Sequence, residues 1–132
     1  QGRPVWSANI EKRRPVFENP DGCLRSGISY NKALGRYLWW QQIPNAPGHP
    51  DRGDTRFAGG FGIYEAPEPW GPWATAYFTP GWDIGPGERA EFPPKWMSAD
   101  GKTMYLAFSG NDNFCVRKAT VTLCGTRGDL DL

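Results

Sequence analysis

The sequence lacks any long apolar run, and this absence excludes an ordinary membrane-spanning helix. No stretch approaches the roughly 20 apolar residues that such a helix needs. Residues 1–14 carry too many charges for a signal peptide. Charge of one sign is also lacking, since 15 basic residues face 14 acidic ones. Binding to nucleic acid or to an anionic membrane surface through bulk charge is therefore not expected.

Metal ligands and cofactor motifs are scarce. The three cysteines, Cys23, Cys115 and Cys124, form no CxxC pair, and His49 is the only histidine. A zinc site is therefore not predicted, and three unpaired thiols are favoured over one disulfide plus a free thiol. The sequence has no phosphate-binding loop, nucleotide fingerprint or Ser-His-Asp pattern. We predict no metal and no cofactor.

Glycine, proline and aromatic residues are abundant instead. The 17 Gly and 13 Pro predict many short turns and disfavour a helical bundle. Apolar residues alternate at Met104, Leu106 and Phe108, which indicates a strand. The dipeptide Asp100-Gly101 favours a tight turn, so we predict a hairpin with one strand on each side of it.

Turn signals divide the chain, taken as a single β domain over 1–132, into two sheets. Residues 1–19 are predicted to be an edge strand or a crossing segment. A four-stranded sheet is expected over 23–78, a second, incomplete sheet over 90–123, and a tail over 124–132. The prediction is therefore an all-β fold of antiparallel, blade-type sheets, about two blades of a β-propeller. A two-sheet sandwich is the alternative, and no helix longer than a turn or two is expected.

Three segments of the sequence together resemble the C-terminal half of a bacterial glycoside-hydrolase-like β-propeller family that includes endo-D-arabinanases. They are CLRSGISYNKALGRYLWWQ (23–41), GGFGIYEAPEPWGPWATAYFT (59–79) and FPPKWMSADGKTMYLAFSG with FCVRKATVTL (92–123). The phrase YEAPEPWGPW also resembles the APxPWGPW blade end of five-bladed furanosidase propellers. The resemblance covers about residues 15–123.

The resemblance implies a five-bladed propeller that binds sugar at the mouth of its central channel and hydrolyses it with paired carboxylates. Such propellers are much longer than this chain, and their early blades, which carry acidic catalytic residues, have no counterpart in it. We therefore expect a carbohydrate-active module that is part of, or derived from, a glycoside hydrolase acting on a furanose polysaccharide such as arabinan. Hydrolysis is expected only if further blades or an oligomer complete it. An extracellular or periplasmic location follows from the resemblance alone.

Two other functions stay open, namely a non-catalytic, lectin-like sugar-binding module and a structural fragment that assembles through its sheets. Because two blades cannot close a ring, they leave an apolar face and bare strand edges. We therefore predict a homo-oligomer or association with the remainder of a larger protein. Two Arg-Gly-Asp tripeptides, at 52–54 and 127–129, are interpreted as chance occurrences.

The candidate catalytic residues are Glu91 and Glu65. Glycoside cleavage needs two carboxyl groups facing each other about 5 to 9.5 Å apart, and these two acids lie beside predicted strands. Trp39 and Trp40 are expected to pack between the sheets.

The candidate ligand-binding residues begin the two predicted channel-lining strands. They are Arg25, Ser26, Phe92, Lys95 and Trp96. Arg25 offers a rigid fork of donors for hydroxyls or carboxylates, although an ion pair with an acid is an equal alternative. Trp96 offers a flat apolar face to sugar C–H groups. We predict a pocket formed by Arg25, Lys95 and Trp96, with Glu91 or Glu65 as its nearest acid.

Overall fold

A computed structural model describes residues 3–19, 22–45, 48, 50, 59–85 and 87–124. Within these residues, seven strands form two antiparallel sheets. Sheet A contains β1 (Ser26–Asn31), β2 (Arg36–Ile43), β3 (Gly60–Ala66) and β4 (Ala74–Thr79), and sheet B contains β5 (Ala90–Glu91), β6 (Thr103–Gly110) and β7 (Asn113–Thr120). Each sheet is an up-and-down meander in chain order. The predicted all-β fold of antiparallel, blade-type sheets is confirmed.

Helical structure in the described part of the chain is limited to two single 3₁₀ turns, Ile10–Lys12 and Pro94–Trp96. Across the same residues, no helix has the length and apolar character that crossing a membrane requires. The expectation of no helix longer than a turn or two therefore holds for this part of the chain.

The core lies between the two sheets. Successive side chains of a strand point to opposite faces, so every second residue of β2 and β6 reaches the same layer. The buried members of this layer are Leu38, Trp40, Phe61, Ala90, Phe92, Met104, Leu106 and Phe108. A slip of one residue would move the whole set to the wrong face, so this burial fixes the register of the strands.

A buried asparagine joins the ends of the two sheets. The Asn31 Nδ2 donates a hydrogen bond to the carbonyl of Gly101 at 2.8 Å, and its Oδ1 accepts one from the Leu34 N–H at 3.2 Å. Gly101 has φ +71°, and a Cβ there would collide with the Asn31 side chain. The glycine is thus needed both for the left-handed turn and for the close approach of the asparagine.

The N-terminal segment crosses the outer face of sheet A, the face that points away from sheet B. Its Phe17 ring packs against Trp39 at 5.0 Å and against Tyr64 at 4.5 Å, measured between ring centroids. Trp73 also packs edge-on against Trp39, at 5.2 Å between ring centroids. The expectation that Trp39 and Trp40 both lie between the sheets is thus right for Trp40 and wrong for Trp39, because neighbouring residues of β2 face opposite ways.

The strand predicted directly before Asp100-Gly101 is not formed. Instead, β5 has two residues and pairs with Ala107 and Phe108, at the far end of β6. Pro93 and Pro94 follow at once, and proline has no N–H to give to a strand ladder. The chain therefore leaves the sheet through a 3₁₀ turn. The turn itself is present, because the Gly101 N–H donates to the Ser98 carbonyl at 2.9 Å.

Cys23, Cys115 and Cys124 are all free thiols, and Cys23 and Cys124 are exposed. His49 and both Arg-Gly-Asp tripeptides lie outside the described residues.

Candidate functional site

The first strands of the two sheets lie side by side and run parallel. The Ser29 hydroxyl accepts a hydrogen bond from the Phe92 N–H at 3.0 Å, across a separation of 63 residues. Two positions earlier on both strands, Gly27 lies so close to the Ala90 carbonyl that a Cβ would collide with it. Since both contacts keep the same sequence separation, β1 and the segment 88–92 advance in the same direction. We call this contact the inner seam.

An ion pair lies at the start of the inner seam. Arg25 Nη1 is 2.8 Å from Glu88 Oε1, and the two side chains are 48% and 52% exposed. The Arg25 carbonyl accepts hydrogen bonds from the Gln42 N–H at 2.9 Å and from the Gln41 amide at 3.3 Å. The Glu88 N–H donates to the Ser109 hydroxyl at 2.8 Å. Backbone contacts thus hold a cation and a carboxylate together at the surface.

Glu91 and Ser26 lie near this ion pair. Glu91 pairs with Arg89 at 3.1 Å, and its Cβ lies against Gly27. Ser26 is exposed and begins β1, where it pairs with Gln41 of β2. Because neighbouring residues alternate, the Ser26 side chain points to the face opposite that of Gly27.

The second candidate acid, Glu65, is held elsewhere. It lies on β3 beside Arg36, with 3.0 Å between Arg36 Nε and Glu65 Oε2. This oxygen is buried and has no hydrogen-bond partner, so the contact has the distance of an ion pair without the alignment of a hydrogen bond. Two strand spacings, about 10 Å, separate β3 from β1 in sheet A. Glu91, on β5, instead lies directly beside Gly27 of β1. Each acid is held by its own arginine, Glu65 by Arg36 and Glu91 by Arg89.

Three predicted ligand-binding residues require correction. Phe92 is 1% exposed and belongs to the core, because the inner seam buries it. Lys95 and Trp96 lie on the 3₁₀ turn rather than at the start of a strand, and Trp96 is 40% exposed.

The structure does not bring Arg25 together with Lys95. The 3₁₀ turn follows Phe92, which is level with Ser29, and Arg25 lies about 13 Å before Ser29 along the strand. The predicted common pocket of Arg25, Lys95 and Trp96 is therefore divided between the two ends of the inner seam.

A further ion pair stands apart from the inner seam. Arg117 Nη2 lies 2.5 Å from Asp83 Oδ2, and the guanidinium lies 5.0 Å from the centre of the Trp82 ring. The hydrogen bond from Arg117 is the main cause that lowers the pKa of Asp83 below its ordinary value. The pair is exposed and joins the loop before β5 to β7.

The sequence interpretation missed a cleft on the outer face of sheet A. It has a volume of about 870 Å³ and lies between the N-terminal segment and the turn from Pro67 to Trp73. Signals for it were present, since Trp6 is an aromatic residue in a polar segment and the turn carries two further tryptophans. Nothing in the local pattern indicated that the two segments would meet.

Among the described residues, no group of three or more His, Cys, Asp or Glu side chains is placed to hold a metal ion.

No family model matches the sequence, and no curated protein matches it either. Two solved structures of the exo-β-1,3-galactanase from Phanerochaete chrysosporium are similar to the chain. The first is a variant of that enzyme with β-1,3-galactotriose, which is 16% identical to this chain with a TM-score of 0.43. The match covers 73% of this chain and 20% of the enzyme chain. The second is the enzyme with galactose, which is 15% identical with a TM-score of 0.43. This match covers 76% of this chain and 23% of the enzyme chain. This chain thus spans about a fifth of the length of those structures.

Proposed function

We propose that this chain is a carbohydrate-binding module built from two neighbouring blades of a β-propeller, part of or derived from a glycoside hydrolase. The main support for this proposal is the parallel contact of the two first strands at the inner seam. In a propeller, blades repeat around a central channel, so the first strands of neighbouring blades run parallel there. The contacts of Ser29 with Phe92 and of Gly27 with Ala90 have this arrangement. Sheets A and B therefore correspond to successive blades, and the inner seam to the wall of the channel.

The exposed groups at the start of the inner seam suit a ligand rich in hydroxyl groups. Arg25 presents a planar fork of donors and Glu88 presents acceptors, side by side and half exposed. A sugar with neighbouring hydroxyls can donate to the carboxylate and accept from the guanidinium, and charge-assisted bonds of this kind are the stronger ones. Trp96 and Lys95 add an aromatic face and a cation at the far end. The resemblance noted in the sequence favours a furanose polymer such as arabinan.

Hydrolysis by this chain alone is not part of the proposal. Glu65 is paired with Arg36 and Glu91 with Arg89, whereas glycoside cleavage needs two carboxyl groups that face each other across the bond. A catalytic partner for either acid would come from another blade. We therefore expect the chain to bind saccharide without turnover.

A glycan-array screen that includes arabinan and galactan oligosaccharides, followed by a reducing-sugar assay on every ligand bound, tests the proposal. Binding without release of reducing ends supports it. Turnover that is lost in Glu91→Gln or Glu65→Gln would show that the chain is a hydrolase by itself and would contradict our interpretation of the two acids. No binding to any glycan would favour a structural fragment and refute a carbohydrate-binding role.

A further inference from the structure

The cleft on the outer face of sheet A, which we call the Trp cleft, combines exposed aromatic rings with charged side chains. Its principal side chains are Arg3, Trp6, Phe17, Glu68, Trp70 and Trp73. Trp6 is 82% exposed and Trp70 is 39% exposed, although both are large and apolar. Their rings lie 6.3 Å apart at 83° to each other, so that they meet edge to face at the cleft.

The floor and walls of the Trp cleft are fixed by the fold. Phe17 is held on Trp39 and Tyr64 of sheet A, and Trp73 packs on the same Trp39. Gly71 has φ +95°, and a Cβ there would meet the backbone and indole ring of Trp73. The glycine therefore lets the turn fold back over the Trp73 ring.

The charged side chains of the Trp cleft have unused hydrogen-bonding capacity. For Arg3 and Glu68, the described part of the chain shows no ion pair and no side-chain hydrogen bond. A guanidinium supplies donors and a carboxylate supplies acceptors, while each indole supplies a rigid apolar face. A saccharide uses all three, because its ring presents an apolar C–H face and its edge presents hydroxyls.

We propose that the Trp cleft is a second saccharide-binding site, for a neutral oligosaccharide, separate from the inner seam. Trp6 and Trp70 supply the stacking faces, and Arg3 and Glu68 bond to hydroxyls at the edge of the sugar. The volume of about 870 Å³ lies within the range of small-ligand sites. The Trp cleft is on the face of sheet A away from sheet B, so it binds whether or not the inner seam does.

A proline-rich peptide is the competing occupant, since aromatic grooves also bind polyproline helices. Such a helix has no backbone N–H to donate and carries no hydroxyl groups. It would use the indoles, and its carbonyl groups could accept hydrogen bonds from Arg3, but it offers no donor to Glu68. Glu68, which has no ion pair within the described residues, therefore favours the saccharide, whose hydroxyls can donate to it.

The experiment is a titration of the Arg25→Ala chain with neutral trisaccharides to hexasaccharides of arabinose, galactose and glucose, and with decaproline. Tryptophan fluorescence and calorimetry report binding, and the Arg25→Ala background weakens binding at the inner seam. Trp6→Ala and Trp70→Ala are added separately. Tyr105→Ala is the matched control, because Tyr105 is as exposed as Trp70 but lies on sheet B, outside both the Trp cleft and the inner seam. Since Trp6 is almost fully exposed, its removal leaves the fold intact, which circular dichroism verifies.

We expect at least one oligosaccharide to bind, and its affinity to fall about tenfold or more in Trp6→Ala and in Trp70→Ala but not in Tyr105→Ala. Binding that neither cleft variant weakens would overturn the proposal. So would binding of decaproline alone, or no saccharide binding up to about 10 mM, a Kd that marks very weak association. Loss of binding in Arg25→Ala itself, with full binding in Trp6→Ala, would support the inner seam and reject the Trp cleft.

Discussion

The Ser29 hydroxyl lies 3.0 Å from the Phe92 N–H and accepts its hydrogen bond at the centre of the inner seam. Ser29 is buried, and Phe92 is buried beside it. This single bond ties the first strand of sheet A to the first strand of sheet B in parallel alignment.

Replacing Ser29 by alanine should destabilise the protein. The Phe92 N–H would stay buried without an acceptor, which costs about 1 to 3 kcal/mol. Urea unfolding followed by tryptophan fluorescence measures the difference in the free energy of unfolding. Ser26→Ala is the control, because Ser26 is exposed and its loss should change stability by less than about 0.5 kcal/mol. Equal effects of the two substitutions would contradict the role of the hydroxyl.

Replacing Gly27 by alanine should open the inner seam. The added Cβ would collide with the carbonyl of Ala90, and overpacking of this kind costs about 1 to 3 kcal/mol. Gly81→Ala is the matched control, because no atom lies within 4 Å of a Cβ at that position. Thermal unfolding of both variants tests the contact, and an unchanged midpoint for Gly27→Ala would show that the strands are not closely packed.

The Asp83 and Arg117 pair should add a pH-dependent increment to stability. The hydrogen bond from Arg117 lowers the pKa of Asp83 in the folded state. The increment is therefore complete above the unfolded-state pKa, about 3.9, and is lost as the pH falls through the lower folded-state pKa. In urea unfolding, Asp83→Asn should reduce stability at neutral pH and converge with wild type in acid. Asp112→Asn, in the β6–β7 turn, is the control, because Asp112 is exposed and has no ion pair among the described residues, and it should change stability at neutral pH by less than about 0.5 kcal/mol.

Replacing Arg25 by alanine should weaken saccharide binding at the inner seam by roughly tenfold to a hundredfold. A bond to a charged donor contributes about 1.5 to 3 kcal/mol, which converts to that change in Kd. Arg117→Ala is the control, since Arg117 has similar exposure and also pairs with a carboxylate. Calorimetry in the Trp6→Ala background isolates the inner seam. Equal affinities for both arginine variants would rule out Arg25 as a ligand contact.

The exposed outer face of sheet B should drive association. Tyr105, Phe114 and Val116 leave apolar surface uncovered there, and β7 is an edge strand. We expect light scattering at micromolar concentration to report a species larger than the monomer. Val116→Glu should shift it toward the monomer, whereas Val5→Glu, at another exposed valine, should not. A monodisperse wild-type monomer would count against this prediction.

Much of sheet A could be predicted because its signals are local. Gly35 occupies a left-handed turn position at φ +62° between β1 and β2, and the proline-rich turn separates β3 from β4. The segment after Glu91 misled the prediction, because Phe92 and Trp96 suggested a strand while Pro93 and Pro94 prevented one. The inner seam joins residues 63 positions apart, so no local period indicates which end of it holds Arg25 and which holds Lys95. The Trp cleft likewise depends on a contact between two segments distant in sequence.

The parallel alignment of the inner seam also determines what kind of assembly the chain can build. At the inner seam, sheet A and sheet B contribute different surfaces. If a second copy of the chain packed its sheet A on sheet B of the first copy in the same manner, the two copies would be related head to tail and not by a twofold axis. Such heterologous contacts end in a closed ring only when the rotation per copy divides a full circle, and otherwise continue into a filament. Whether copies of this chain form a finite ring or an open fibre therefore depends on the angle between the two sheets, and a side chain at position 27 would change how closely β1 approaches β5.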